Sequence, residues 1–451
     1  MVESILEKEQ PPMNAITYEM LESFSKEFHA QEKNEVAMRA VMKSGLSAAA
    51  ENMQEQIDNP MTFSIEIETG KITNQKSSGR CWLFAALNCM RFQIMKNLNL
   101  ETFELSQNYQ MFWDKMEKAN YFLESILETA DEDVSSRLVS HLLSSPEGDG
   151  GQWDMYCAIA DKYGCVPKSA MPETFQSSNT GMMVKLVTLK LREDAMLLRA
   201  ALREGKDVQA MKTEMLGEIY RILVTCLGEP PRRFTFEYRD KDKNFGRDEN
   251  ISPKEFFDKY VGLALKDYVS IINAPTADKP YYHTFTVDFL GNVAGGRAVK
   301  YLNLPADDLR ALAIKQLSDG EPVWFGCDVG QMLMRDYGLM GMHTFRYDQL
   351  LGVNFGMDKA DRLNYGESVM THAMVFLGVN LVDGKPNRWK VENSWGDKSG
   401  QDGYYIMTDE WFGQYNYQVV VNRKYLTPEQ QEMLTQEPIH LKPWDPMGSL
   451  A

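Results

Sequence analysis

Cys81, His372 and Asn393 stand in that chain order, with Gln75 six positions before the Cys and Trp82 directly after it. A lone Cys is usually an inert small hydrophobe. A Cys with these companions has the parts of a thiol hydrolase. An unassisted thiol is only a few per cent ionised at neutral pH, so the nucleophile needs activation. An imidazolium at His372 would lower the thiol pKa and later protonate a leaving amine. The Asn393 side-chain oxygen can accept from the remote ring N–H and fix the tautomer, the part a carboxylate plays in a Ser triad. Gln75 brings side-chain N–H groups which, with the Cys81 backbone N–H, can form an oxyanion hole.

These residues need particular elements to hold them. The run from Cys81 to Phe92 contains no Gly or Pro and follows Ser77-Ser78-Gly79-Arg80, which predicts a helix starting at Cys81. The helix dipole favours an anion at that end. Downstream, Val323–Cys327, Ala373–Val379, Trp389–Glu392, Tyr404–Met407 and Gln418–Val421 are β-rich runs separated by turns such as Asp383-Gly384-Lys385-Pro386. His372 then falls at a strand entrance and Asn393 at a strand exit, both able to face the Cys81 helix across a cleft. His29, His141, His283, His343 and His440 lack a following strand with an Asn-Ser-Trp-Gly segment at a matching distance. A helical half and a sheet half with the site between them is an α+β architecture. Trp395, two residues after Asn393, is placed to shield the His/Asn hydrogen bond.

The pattern resembles the papain-like cysteine peptidases, and more closely the bleomycin hydrolase and bacterial aminopeptidase C branch. In the papain and cathepsin signature a Cys stands three residues before the nucleophile. Here Ser78 takes that place, so the usual disulfide cannot form. The His lies about twice as far from the Cys as the 130 to 150 residues of the secreted enzymes, an insertion of about 150 residues. The terminus from Pro443 to Ala451 is similar to the tail that this branch lays in its own cleft.

The resemblance covers essentially the whole chain and implies five regions: an N-terminal arm (1–70), a helical half carrying the Cys (71–170), a helical insertion (171–280), a β-rich half carrying His and Asn (281–437) and a tail in the cleft (438–451). It makes Gly150 and Gly151 the residues that pair with extended substrate. The clustered Gly148-Asp149-Gly150-Gly151 loop permits close backbone approach. It further implies a homohexamer, a last residue, Ala451, that the enzyme can remove, and a terminal carboxylate facing the substrate's α-ammonium. A cleft blocked in this way would act on free N-termini and reject blocked or internal segments. A cysteine endopeptidase, a bleomycin-type amide hydrolase, and a regulatory or nucleic-acid-binding scaffold with an inactive site remain as alternatives.

Composition narrows the class further. Hydrophobic content of 43% and charged content of 25% are ordinary globular values. A formal charge of −16 argues against a general affinity for nucleic acid. There is no 18-residue apolar run to span a membrane, and the charged first ten residues lack a signal-peptide plan. Six cysteines in 451 residues, none at zinc-site spacing, fit a reducing cytoplasm and suggest no metal or organic cofactor. Val208, Met211, Met215, Ile219, Ile222 and Cys226 recur at helical spacing up to Gly228-Glu229-Pro230-Pro231, a core-facing stripe inside the insertion.

Overall fold

The computed structural model describes residues 14–451, so the first ten residues, read above against an export signal, lie outside them. Two compact units emerge, one of residues 14–53 with 345–356 and the other of 54–344 with 357–451. In the smaller unit the helices Tyr18–His29 and Glu32–Ser44 bury no residue. Thr17 caps the first of them by accepting from the Met20 N–H. Their apolar side is open, with Phe24 54% and Met42 80% exposed.

The larger unit is α+β. Its helix opening at Cys81 spans Cys81–Leu98 and is buried along its first eleven residues, which is why its apolar residues run on all sides rather than in one stripe. It packs beside the helices Gln107–Glu128 and Trp153–Tyr163. The insertion supplies two long helices, Gly181–Arg203 and Val208–Leu227. Met215 and Ile219 of the stripe are fully buried, its other four members partly so. Gly228, at φ +85°, ends the second helix. A hairpin, Phe234–Arg239 with Phe245–Ile251, then leads toward the sheet.

The sheet has twelve strands among the described residues. At its centre Asn416–Asn422, Val323–Cys327, His372–Val382, Lys385–Glu392 and Tyr404–Thr408 lie side by side, each pair antiparallel. Asp383 and Gly384, both at positive φ, make the tight turn between His372–Val382 and Lys385–Glu392, as hairpins of this length require. The Ile65–Glu66 strand adds to the outer part of His372–Val382. Alternate residues face two cores: Ala373, Val375 and Leu377 meet the Cys81 helix, while Met374, Phe376 and Trp389 meet the Ala306–Ser318 and Asp409–Tyr415 helices.

Helix and sheet are joined by a buried ion pair. Arg91 Nη2 meets Glu392 Oε1 at 2.5 Å, with both side chains almost wholly buried. Arg91 also donates to the Lys71 carbonyl (2.8 Å), and Glu392 accepts from Thr69 Oγ1 (3.0 Å). Glu392 directly precedes Asn393, so the pair fixes the Cys81 helix against the strand end that leads into Asn393. Arg91→Met, which strands a buried carboxylate, is expected to lower stability by about 3–5 kcal/mol. Urea-unfolding midpoints would check it, and Arg91→Met with Glu392→Met should recover much of the loss; an unshifted single-variant midpoint would contradict this account.

Candidate active site

The loop before Cys81 is built from its own hydrogen bonds. Ser78 Oγ donates to the Gln75 carbonyl (2.6 Å) and accepts from Arg80 Nε (2.9 Å). Arg80 is held in turn by a bidentate pair with Glu173, at 3.1 and 2.9 Å. The hydroxyl at 78 thus braces a loop that has no disulfide. Cys81 opens its helix, so its backbone N–H has no partner within the helix. The backbone N–H groups of Ala373, Trp82 and Cys81 lie so as to favour a charged sulfur at this position.

His372 begins its strand opposite Cys327, and the N–H of its neighbour Ala373 favours a charged Cys81 sulfur. His372 Nε2 lies 2.9 Å from Asn393 Oδ1. The same oxygen accepts from the Ser394 N–H at 2.8 Å, which identifies it as oxygen rather than nitrogen. Nε2 therefore carries the proton and Nδ1 is left as the acceptor. The Trp395 ring lies 4.9 Å from the imidazole, centre to centre, and the Arg335 guanidinium stands over the same indole at 4.6 Å.

Gln75 is fixed from both sides of its amide. Its Oε1 accepts from Ser394 Oγ (2.6 Å) and its Nε2 donates to the Ser78 carbonyl (2.7 Å), which leaves one N–H free. Main-chain bonds from Gln75 to Ser394 (2.8 Å) and from Gly396 to Thr73 (3.0 Å) stitch the two segments together. Ser394 thus serves both Gln75 and Asn393, a double use that the motif in the sequence does not reveal.

The tail reaches this region. The Gly151 N–H donates to the Leu450 carbonyl at 2.8 Å, and a Cβ on Gly150 would stand 2.2 Å from that oxygen. A Cβ on Gly151 would strike the Trp82 ring at 2.5 Å. Ser449 Oγ donates to the Met370 carbonyl (2.8 Å), Leu450 is buried in the same apolar core as Cys81, and Ala451 is exposed at the end. A cavity of about 610 Å³ opens beside it, walled by Tyr121, His141, Leu290, Val369 and the tail from Pro443 to Ala451. Sequence reasoning did not anticipate this cavity, because its walls come from five separate segments.

Burial works against the ion pair expected from sequence. It pushes the Cys81 thiol up to about 11, with Asp149 adding to the rise, and pushes His372 down to about 4 against the pull of Asn393. A thiol charges above its pKa and an imidazole below it, so burial keeps both neutral at pH 7. Alkylation of Cys81 by iodoacetamide is then expected to rise about tenfold per pH unit between pH 7 and 9, as the thiolate fraction grows. A flat rate over that range would mean a preformed ion pair.

With this geometry described, the likeness to known proteins becomes specific. The profile of the Peptidase C1-like family matches residues 15–448. The chain belongs to that family. It is 53% identical over 436 residues to Aminopeptidase C of Listeria innocua serovar 6a, covering 97% of this chain and 99% of that one. It is 50% identical over 423 residues to Aminopeptidase C of Lactobacillus helveticus, covering 92% and 94%. The crystal structure of PepW from Lactobacillus rhamnosis HN001 superposes with a TM-score of 0.96 at 52% identity, covering 97% and 99% of the two chains. The α+β fold is accordingly papain-like, as the resemblance implied.

Proposed function

We propose that this chain is a cysteine aminopeptidase releasing N-terminal residues from peptides, with Cys81 as nucleophile, His372 as acid and base, Asn393 as its orienter and Gln75 in the oxyanion hole. The observation that carries the reading is the imidazole tied through Nε2 to Asn393 in a cleft whose substrate-facing glycines hold the chain's own tail. In a neutral pair Nδ1 takes the thiol proton as sulfur attacks the scissile carbonyl, so the S–C bond forms without a standing thiolate. The oxyanion is received by the free Gln75 N–H and the Cys81 N–H. The imidazolium then protonates the departing amine, the C–N bond breaks, and an acyl thioester remains. Water adds with His372 as base, the C–S bond breaks, and the thiol recovers its proton.

In this reading the Leu450 carbonyl on Gly151 occupies the place of a substrate residue upstream of the cleaved bond, which leaves room only for a substrate's first residue. Ala451 stands in that last position and leaves by self-cleavage. The Leu450 carboxylate so exposed then faces a free α-ammonium, an attraction that a blocked N-terminus cannot offer. Trp395 keeps water from the His372–Asn393 bond.

The five-region organisation, the cytoplasmic setting and the homohexamer belong to the same proposal. Six free cysteines fit a reducing compartment, and no described helix is long and apolar enough to cross a membrane. Oligomer contacts are supported by exposed apolar residues within each unit: Phe24 and Met42 in one, Leu189 and Met196, each over 60% exposed, in the other.

A chain ending at Gly448 should gain activity on N-acetylated peptides while Cys81→Ala in either form shows none. Unchanged preference for free N-termini in the shortened chain would favour an amide hydrolase whose selectivity lies elsewhere. Equal use of blocked and free peptides by the full chain would favour an endopeptidase. Asn393→Ala is expected to fold and to lose turnover as the imidazole loses its orientation; an unchanged kcat would remove Asn393 from the mechanism.

A further inference from the structure

Beneath the substrate-facing glycines lies a buried group of charges. Lys118, on the Gln107–Glu128 helix and 8% exposed, donates to the carbonyls of Gly150 (2.5 Å) and Gly148 (3.0 Å) and pairs with Asp114 one turn earlier (2.9 Å). Lys115 donates to the Gly148 carbonyl (2.6 Å) and meets Glu147 and Asp149 at 3.0 Å each. Burial would raise Asp149, yet Lys115, Thr180 and the Gly79 N–H together hold its carboxyl well below the usual range. Its backbone carbonyl accepts from the Trp82 indole at 2.7 Å. The loop is therefore tied both to the helix below it and to the residues flanking Cys81.

One of these bonds has a chemical effect beyond anchoring. The Gly150 carbonyl and the Gly151 N–H are the two ends of one peptide group. An ammonium on the oxygen polarises that group and strengthens the N–H as a donor. The Gly151 N–H is the one that holds the Leu450 carbonyl. With no side chain on either glycine, the aim of this peptide depends on what grips its oxygen.

We propose that Lys118 is a specificity-determining positioning residue: by gripping the Gly150 carbonyl it aims and polarises the peptide that retains the tail, and so keeps N-blocked peptides out of the cleft. Lys118 acts through that peptide and is not itself catalytic. The assignment rests on the tail reading above, and the test separates the two.

Four forms are compared for kcat/KM on matched N-acetylated and free peptides: the full chain, the chain ending at Gly448, Lys118→Met in the full chain, and both changes together. Lys118→Met is expected to raise the blocked-to-free ratio at least tenfold, chiefly through a lower KM for the blocked peptide. The combined form should gain little over truncation alone. A merely structural role would reduce both activities together and leave their ratio in place. If truncation opens the cleft and Lys118→Met leaves the ratio at its starting value, the Lys118 assignment is overturned. If truncation itself changes nothing, the tail reading fails and the assignment falls with it. Should Lys118→Met not fold, Asp114→Asn with Lys118→Gln removes both charges and keeps polar partners, with the same expected ratio.

Discussion

Desolvation is the constraint around which this molecule is arranged. The reactive sulfur and imidazole sit between a helix start and two strand ends, and almost every polar group there is withdrawn from water. A buried polar group is tolerable only when it is paired. The cleft accordingly fills with paired groups: Asn393 on His372, Ser394 on Gln75, Glu173 on Arg80, Glu392 on Arg91. Each pairing satisfies a buried atom and at the same time fixes a position. Orientation of the proposed catalytic groups is thus a by-product of keeping the interior polar atoms partnered.

The buried charges explain how two secondary-structure types from distant parts of the chain hold one register. Arg91 and Glu392 set the Cys81 helix against the strand, while Lys115 on Asp149 and Lys118 on the Gly150 carbonyl set the glycine loop against the Gln107–Glu128 helix. Apolar packing alone tolerates small slides between a helix and a sheet, because hydrophobic contact is non-directional. Hydrogen-bonded charges do not, since their strength depends on distance and angle. A site that needs Cys81 and His372 in fixed apposition gains that precision from ions placed a turn or more away.

Much of this was readable in advance, for identifiable reasons. Local signals sufficed for the Cys81 helix, for the strands on either side of the Asp383-Gly384 turn, and for the stripe from Val208 to Cys226, because period and turn chemistry act over short spans. The His/Asn bond was legible because the two residues fall at matching ends of a hairpin. Asp114 and Lys118 are visible as a pair one helical turn apart, yet such pairs usually lie on solvated faces. Nothing local says that this one is buried under a loop thirty residues further on. The short edge strands, such as Leu333–Met334 and Ile439–Leu441, and the hairpin within the insertion were equally hidden, since a two- or three-residue strand is defined by its partner rather than by its own composition. The ionisation state of the reactive pair also escaped sequence reasoning, because it depends on how completely the cleft excludes water.

That last feature bears on survival under oxidative stress. Peroxide attacks thiolates, and the steps from sulfenic to sulfonic acid begin with an ionised sulfur. In the proposed mechanism, a cleft that keeps Cys81 protonated until a carbonyl arrives presents a poor target between turnovers. Burial thereby guards the proposed nucleophile by chemistry as well as by cover, and the vulnerable moment is confined to the interval in which the cleft is open and wet.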